Sequence, residues 1–453
     1  MATVAVNQTI KMYENTRTIL QVCRQWRRIG LGTPSLFTDI YLASWYKDPV
    51  SILQMHLERS GALPFSISFP YEFSFDSGPH HDRRVLMGPI FQNISRCKVL
   101  DIPDQICMDL LFALGGHGDI HVPQMRRLYL HAHGLACHYF SRDECGRFIA
   151  PQLNYMEYVG PTTDVVLYDP TRLTELQLQG MGLSEMSHLD MYEVLRAHPN
   201  LRSLYVDFVE MVFPFEDVPL PAIVLPELRN LQLDAVKTEG SMVAQSIQAP
   251  KLESVLLRAQ CMEPESFESF RLYIGSHKAI RKFGLVGGCL SNSEAVSLLK
   301  SVPNVETLVF IRNFELSQQF AHEFATSQTE DGQFICPNIT HIEFETIRFT
   351  SGAAAMLETR LILCPNLRIT LLECTVKEGD EAEALLRVVN RYRSRFILDV
   401  SWRANDSGLR IIQADCDENI AVVEEAAKCL CETSQWYGES DTDMDSDSDS
   451  DSE

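Results

Sequence analysis

The chain has 453 residues, of which 45% are hydrophobic, and its formal net charge is −22. Residues Glu439 to Glu453 hold eight acids and no Lys or Arg, so the charge of the remaining chain is −14, the difference between −22 and −8. A body of this charge repels phosphate, and we therefore expect neither nucleic acid nor an anionic membrane surface as a partner.

The thirteen cysteines are scattered through apolar stretches, and Met1 to Thr18 is polar and lacks the apolar core of a signal peptide. No apolar run reaches the roughly 18 residues that a membrane span needs. These features predict a cytoplasmic or nuclear protein with reduced thiols, and Cys289 and Cys364 are expected to be unbridged.

The first element in chain order is a helix predicted from Val22 to Ile29, preceded by residues 1–18, which are expected to be disordered or to form a partial helix. One face of this helix carries Val22, Cys23, Trp26 and Ile29. Pro34 ends the helix, because proline lacks an N–H. The spacing predicts that Trp26 is buried against the first repeat, near Leu36 and Phe37.

The segment from Leu20 to Leu42 resembles the second half of an F-box, with Val-Cys-x-x-Trp followed by Thr-Pro-x-Leu. The next segment, His56 to Phe69, contains Leu-Glu-Arg-Ser-Gly and is similar to the stretch that follows in the F-box and leucine-rich-repeat proteins of mushroom-forming fungi. This resemblance implies that residues 19–45 are an F-box remnant. It also implies a contact with a Skp-type adaptor through Val22, Cys23, Trp26, Ile29, Leu36 and Phe37.

The first F-box helix of that family opens with Leu-Pro, whereas Met1 to Ile19 contains no proline. The F-box is therefore interpreted as truncated at its N-terminal side. In the family, the missing helix is a main contact surface for the adaptor. Ile10, Met12 and Ile19 are the only residues of the segment that could imitate its apolar face.

A pattern of Pro-x-aliphatic-x-x-aliphatic-x-aliphatic recurs from residue 123 onward, at intervals from 24 residues (Pro226 to Pro250) to 34 residues (Pro303 to Pro337). The proline-anchored copies start at Pro123, Pro151, Pro199, Pro226, Pro250, Pro303 and Pro337, and variant copies lie at Leu173–Leu178, Ile280–Leu285 and Pro365–Leu371. This period is typical of leucine-rich repeats. The last two aliphatic residues of each copy are two apart, so both point to one side of a strand.

Between the strands the apolar spacing becomes helical. The predicted helices contain Met186–Leu195, Ala295–Leu299 with Ser293 as the capping residue, Phe320–Phe324 and Ala353–Leu363. Phe65, Ile67 and Phe69 alternate as a half-buried strand. We therefore predict an α/β fold in which residues 46–432 form an irregular leucine-rich-repeat solenoid, a curved parallel sheet with outer helices.

The concave face of that sheet is the predicted recognition surface, because the residue between the last two aliphatics of each copy points away from the core. These residues are Tyr129, Glu157, Gln177, Tyr205, Gln232, Leu256, Val309 and Glu343. Tyr129 and Tyr205 are the expected anchors, since aromatic residues dominate binding at interfaces. A solvated face without a ligand is the alternative.

No catalytic, metal or cofactor site is predicted, and the chain is not expected to be an enzyme. The His and Cys residues from His117 to His138 lack the paired spacing of a zinc site. Residues 433–453 form a predicted disordered acidic tail. It is a solubilising segment, a docking strip for a basic protein, or a kinase substrate at Ser446, Ser448, Ser450 and Ser452.

Two functions follow from these observations. The first is a substrate-recognition subunit of an SCF-type ubiquitin ligase, which binds the adaptor through the F-box remnant and an unknown protein target on the solenoid face. The second is a non-catalytic interaction scaffold with no ubiquitin role. In either case the chain is expected to be a monomer outside its complex.

Overall fold

The computed structural model describes residues 18, 21–42, 48–69, 83–102, 120–131, 148–159, 172–179, 188–207, 222–236, 244–259, 264–287, 290–312, 315–328, 332–376, 379–399, 401–405 and 408–412. The chain divides into two compact units, Met1–Asn304 and Val305–Glu453. Each unit is a mixture of helices and parallel strands.

The first unit contains a sheet in which ten described strands are all parallel. In order across the sheet they are β1 (Asp39–Tyr41), β2 (Phe65–Ser68), β3 (Cys97–Ile102), β5 (Arg127–His131), β7 (Tyr155–Val159), β8 (Glu175–Gln179), β9 (Ser203–Asp207), β11 (Asn230–Val236), β13 (Ser254–Ala259) and β14 (Lys282–Val286). Four two-residue strands form two further parallel pairs. One pair is β4 (Ile120–His121) with β6 (Phe148–Ile149), and the other is β10 (Ile223–Val224) with β12 (Ile247–Gln248). The described helices are α1 (Arg24–Leu31), α2 (Pro49–Arg59), α3 (Arg83–Asn93), α4 (His188–Ala197), α5 (Pro264–Ser276) and α6 (Asn292–Ser301).

The second unit has its own parallel strands and helices. The parallel strands are β15 (Thr307–Ile311), β17 (His341–Glu345), β19 (Arg368–Leu372) and β21 (Phe396–Asp399). A smaller sheet contains β16 (Glu315–Leu316), β18 (Arg348–Phe349), β20 (Thr375–Val376), β22 (Ser401–Asn405) and β23 (Gly408–Ile412), the last two antiparallel. The described helices are α7 (Gln318–Thr326), α8 (Ala353–Leu363) and α9 (Gly379–Arg391).

All ten predicted repeat copies form strands, and the predicted use of their aliphatic residues is confirmed. The first aliphatic of every copy is at most 5% exposed: Met125, Leu153, Leu173, Leu201, Leu228, Leu252, Ile280, Val305, Ile339 and Leu367. The last two aliphatics of each copy are buried as well, and the residues around them alternate in burial, as in the strand Arg127–His131. The repeat pattern is therefore the core of both units.

The four predicted helices are present as α4, α6, α7 and α8. Helices α4, α6 and α8 end two residues before Pro199, Pro303 and Pro365, as predicted. Before Pro123, Pro151, Pro226 and Pro250 the described chain instead runs through the two-residue strands β4, β6, β10 and β12. The sequences Ile223-Val-Leu-Pro and Ile120-His-Val-Pro explain the difference, since a residue before proline avoids the helical region and β-branched residues favour strands.

In the second unit, a residue with a positive φ angle follows each of three strands. Arg312, Thr346 and Glu373 follow β15, β17 and β19 and have φ angles of 46°, 56° and 49°. This left-handed conformation is uncommon for residues other than glycine. It turns the chain into the short strands β16, β18 and β20, after which a helix begins. Helix α7 begins behind Ser317, whose side chain accepts a hydrogen bond from the backbone N–H of Phe320.

The capping residue predicted for α6 is wrong by two positions. Ser291, not Ser293, is the N-cap, and it accepts from the backbone N–H of Glu294 while the Glu294 carboxylate accepts from the Ser291 N–H. This reciprocal pair requires a Glu three residues after the cap, and only Ser291 has one.

Phenylalanine rings join the strands to the helices in the second unit. Phe310 of β15 is 1% exposed, stacks on Phe344 of β17 at 5.3 Å between ring centroids, and contacts Phe320 and Phe324 of α7 at 5.8 and 6.4 Å. Because these rings belong to two strands and one helix, Phe310 connects the two layers of this unit.

We expect Phe310→Ala to lower the free energy of unfolding by about 3–5 kcal/mol, because it removes a buried ring and leaves a cavity. Ile362→Ala is the control, since Ile362 is an apolar residue of α8 in the same unit and is 64% exposed. Its expected effect is within about 0.5 kcal/mol. Urea denaturation of both variants measures the difference, and equal losses would contradict this packing.

Candidate functional site

The residues predicted to recognise a target lie in one row across the sheet of the first unit. Tyr129 is in register with Glu157, Glu157 with Gln177, Gln177 with Tyr205, Tyr205 with Gln232, and Gln232 with Leu256. They lie on the side of the sheet opposite the buried aliphatics, which we call the open face. In the second unit, Val309 is likewise in register with Glu343.

Six of the eight predicted residues are partly exposed, so the predicted register is confirmed for them: Tyr129, Gln177, Tyr205, Gln232, Leu256 and Glu343. The expectation of exposure is wrong for Glu157 and Val309, which are 7% and 3% exposed. Glu157 is covered because its neighbours bond to it.

Glu157 is the centre of a hydrogen-bonded group on the open face. The Tyr155 hydroxyl donates to Glu157 Oε2 at 2.8 Å, and Gln179 Nε2 donates to Glu157 Oε1 at 3.4 Å. The ring of Tyr155 lies 5.0 Å from that of Tyr129, between centroids. Both carboxylate oxygens are therefore held, which fixes the position of the tyrosine rings.

A second group lies three strands away from Tyr129 on the same face. The Tyr205 hydroxyl donates to Asp234 Oδ2 at 3.2 Å, and Arg258 Nε donates to the other oxygen, Oδ1. We call Tyr129, Tyr155, Glu157, Tyr205 and Asp234 the tyrosine patch. At its border, His131 Nε2 lies 3.5 Å from Asp101 Oδ1.

The tyrosines of the patch stay neutral under physiological conditions. Burial raises the pKa of Tyr129, Tyr155 and Tyr205, and the carboxylates of Glu157 and Asp234 add to the shifts of Tyr155 and Tyr205. A neutral phenol retains its O–H donor and an apolar ring. The patch therefore combines ring surface with fixed hydrogen-bonding groups, which suits the binding of a polypeptide.

The other members of this patch escaped the sequence analysis. Tyr155 and Asp234 lie two positions from the middle residue of their strands, so the same two-residue period places them on the open face. The two-residue alternation therefore also predicts these two positions for the open face, whereas our sequence prediction included only the middle residue of each repeat copy.

The segment predicted to be an F-box remnant differs from its prediction at Trp26. Helix α1 begins at Arg24 behind Cys23, whose sulfur accepts from the Trp26 N–H at 3.5 Å. Trp26 is 52% exposed, and Val22 and Ile29 are 61% and 54% exposed, so the predicted burial of Trp26 is wrong. The side of α1 that contacts the body carries Gly30, the only buried residue of this helix.

Phe37, rather than Trp26, anchors this segment. It is 1% exposed, its ring lies 5.5 Å from that of His56 in α2, and the Arg59 guanidinium lies 5.6 Å from its centroid. His56 Nδ1 is 3.4 Å from the Phe37 carbonyl oxygen. Leu36 is only half buried. The helix predicted from Val22 to Ile29 begins instead at Arg24, because Cys23 is extended, so Val22 lies outside α1. Only Trp26 and Ile29 have the predicted spacing within the helix.

The described cysteines, which include Cys364, are unbridged, whereas Cys289 lies outside the described residues. In the described part of the chain, no group of His, Cys, Asp and Glu could hold a metal ion. Only His121 and His131 of the His117–His138 cluster belong to that part. Within the same ranges, no helix is both long and apolar enough to cross a membrane.

We expect Tyr155→Phe to lower the free energy of unfolding by about 1–3 kcal/mol, because it leaves the buried Glu157 carboxylate without its closest donor. Tyr205→Phe is the matched control: Asp234 retains Arg258, so the loss is expected to be smaller. Chemical denaturation of both variants tests the order. A larger loss for Tyr205→Phe would contradict the arrangement described for Glu157.

No known protein family matches this chain, and no curated protein is significantly similar to it. Its functional interpretation therefore depends on its own residues. These provide two surfaces: the exposed apolar face of α1, and the tyrosine patch on the open face of the sheet.

Proposed function

We propose that this chain is the substrate-recognition subunit of an SCF-type ubiquitin ligase. Its fold would be a leucine-rich-repeat solenoid with an F-box remnant at the N-terminal side. It would bind a Skp-type adaptor through α1 and a protein target through the open face. The chain itself would not be an enzyme, since ubiquitin transfer belongs to the other subunits of such a complex.

The observation that carries the proposal is the exposure of Trp26 and Ile29, which lie three residues apart on α1, together with the exposed Val22 just before the helix. Trp26 has the largest apolar surface of the three, and burial of apolar surface stabilises by about 25 cal/mol per Å². An exposed Trp with exposed aliphatic residues close to it in the chain has the composition of an interface centre. Gly30 of α1 is buried, and Arg59 Nη1 of α2 donates to the Leu31 carbonyl oxygen at 3.5 Å, so Trp26 and Ile29 lie on an anchored helix.

The tyrosine patch supports the second half of the proposal. Tyr129 and Tyr205 are half exposed, and their neighbours hold polar groups in fixed positions. A tyrosine side chain has few rotatable bonds, so it loses little conformational entropy on binding. A protein target is the partner that a broad surface of this kind suits.

The alternative is an interaction scaffold with no ubiquitin role. The tyrosine patch supports it equally, because that surface functions without an adaptor. Under both hypotheses we propose a cytoplasmic or nuclear protein that is monomeric outside its complex, and the unbridged described cysteines are compatible with this location.

Adaptor binding separates the two hypotheses. We expect the full chain to retain a Skp-type adaptor in co-purification, and Trp26→Ala to weaken this binding by at least about tenfold, as for a central interface residue. Leu272→Ala is the control, because Leu272 is 59% exposed on the unrelated helix α5. Point variants are preferable to deletion of the first 45 residues, which would also remove strand β1.

Thermal denaturation should show unchanged folding for both variants, since neither side chain is buried. Equal adaptor recovery with the wild type and Trp26→Ala would contradict the ligase hypothesis, as would no recovery with any form. The scaffold hypothesis would then remain.

A further inference from the structure

A polar groove lies at the edge of the first sheet where strands β5, β7, β8 and β9 begin. Its volume is about 700 Å³, and it is lined by arginines, amides and a hydroxyl, with Glu227 as its one acid among the described residues. The lining includes Arg126, Asn154, Arg172, Thr174 and Arg202. This edge groove is distinct from the tyrosine patch, which lies on the face of the sheet.

The backbone holds the edge groove in a fixed geometry. Asn154 N–H donates to the Arg126 carbonyl at 3.0 Å, Thr174 N–H to that of Asn154 at 3.0 Å, and Arg202 N–H to that of Thr174 at 2.8 Å. These residues therefore stand on adjacent strands, which are spaced about 4.8 Å apart. Arg126 and Arg202 are three strands apart, or about 14 Å.

Among the described residues, Arg126, Arg172 and Arg202 form no ion pair within 4.0 Å, and all three are exposed. Glu227 lies near Arg202, but the main partner of its carboxylate is Lys251, whose Nζ donates to Glu227 Oε1 at 2.7 Å. The neighbouring Arg229 is already paired with Glu253 at 2.9 Å. The edge groove is thus a local surplus of positive charge on a protein whose net charge is −22.

We propose that the edge groove binds an extended acidic segment of a partner protein, with Asp or Glu at alternate positions. A single small anion cannot contact guanidinium groups that are distributed over about 14 Å, whereas about four residues of extended chain span that distance. Arg pairs with carboxylates through two parallel hydrogen bonds. The Asn and Gln side chains of the groove can donate to and accept from a peptide backbone, which nucleic acid lacks. The proposal does not depend on ubiquitin chemistry or on the adaptor.

The test is fluorescence anisotropy of a labelled peptide of alternating Asp and Ser residues with the full chain. The same measurement is made on a full-length form in which the eight acids of Glu439–Glu453 are changed to their amides, so that they cannot compete. We expect the acidic peptide to bind at least the form with the amide substitutions, and we expect its affinity to fall as the salt concentration rises. The double variant Arg126→Gln/Arg202→Gln should bind at least about tenfold more weakly.

Arg229→Gln is the matched control, because Arg229 occupies the same position of the next repeat copy but does not line the groove. It should retain affinity within about twofold, since no proposed contact is lost. Unchanged melting temperatures confirm folding of all variants. Three results would overturn the proposal: no binding by either form, equal binding of an Asn-for-Asp peptide, or equal binding of a single-stranded oligothymidylate of the same length.

Discussion

The backbone hydrogen bonds between successive repeat copies determine the geometry of everything else in this protein. The residue before each strand donates its N–H to the equivalent carbonyl of the preceding copy, as from Arg229 to Arg202 and from Glu253 to Arg229, both at 2.9 Å. In the second unit, Arg368 donates to Thr340 at 2.8 Å in the same way. Buried backbone groups must be paired. One insertion before a strand would therefore break this bond and move every side chain of the strand to the opposite face.

This constraint explains why one sequence pattern produces two kinds of surface. Along each strand, alternate residues face the core and the open face. The register that buries the aliphatic residues therefore also places the tyrosine patch on the open face. At the start of each strand, the fixed edge positions present Arg126, Arg202 and their neighbours at regular spacing.

The sequence predicted the strands well, because the aliphatic spacing is a property of the core. It predicted which residues share a face, including six of the row on the open face. It did not predict α5, where Phe267, Phe270 and Ile274 are buried, since no proline-anchored copy pointed to it. Nor could it predict the direction of Trp26 or the bond from Tyr155 to Glu157. Those depend on contacts between segments that a local pattern does not contain.

The central claim is that the two-residue alternation divides each strand between core and open face, and cysteine labelling tests it most directly. Cysteines introduced singly at Leu231, Gln232 and Leu233 of β11 are treated with a thiol reagent in the native state, and each site is followed by mass spectrometry. We expect Cys at Gln232 to react at least about tenfold faster than at the two flanking positions, because labelling of a buried thiol requires local opening. Equal rates, or faster labelling at Leu231 and Leu233, would contradict the register and both proposed surfaces.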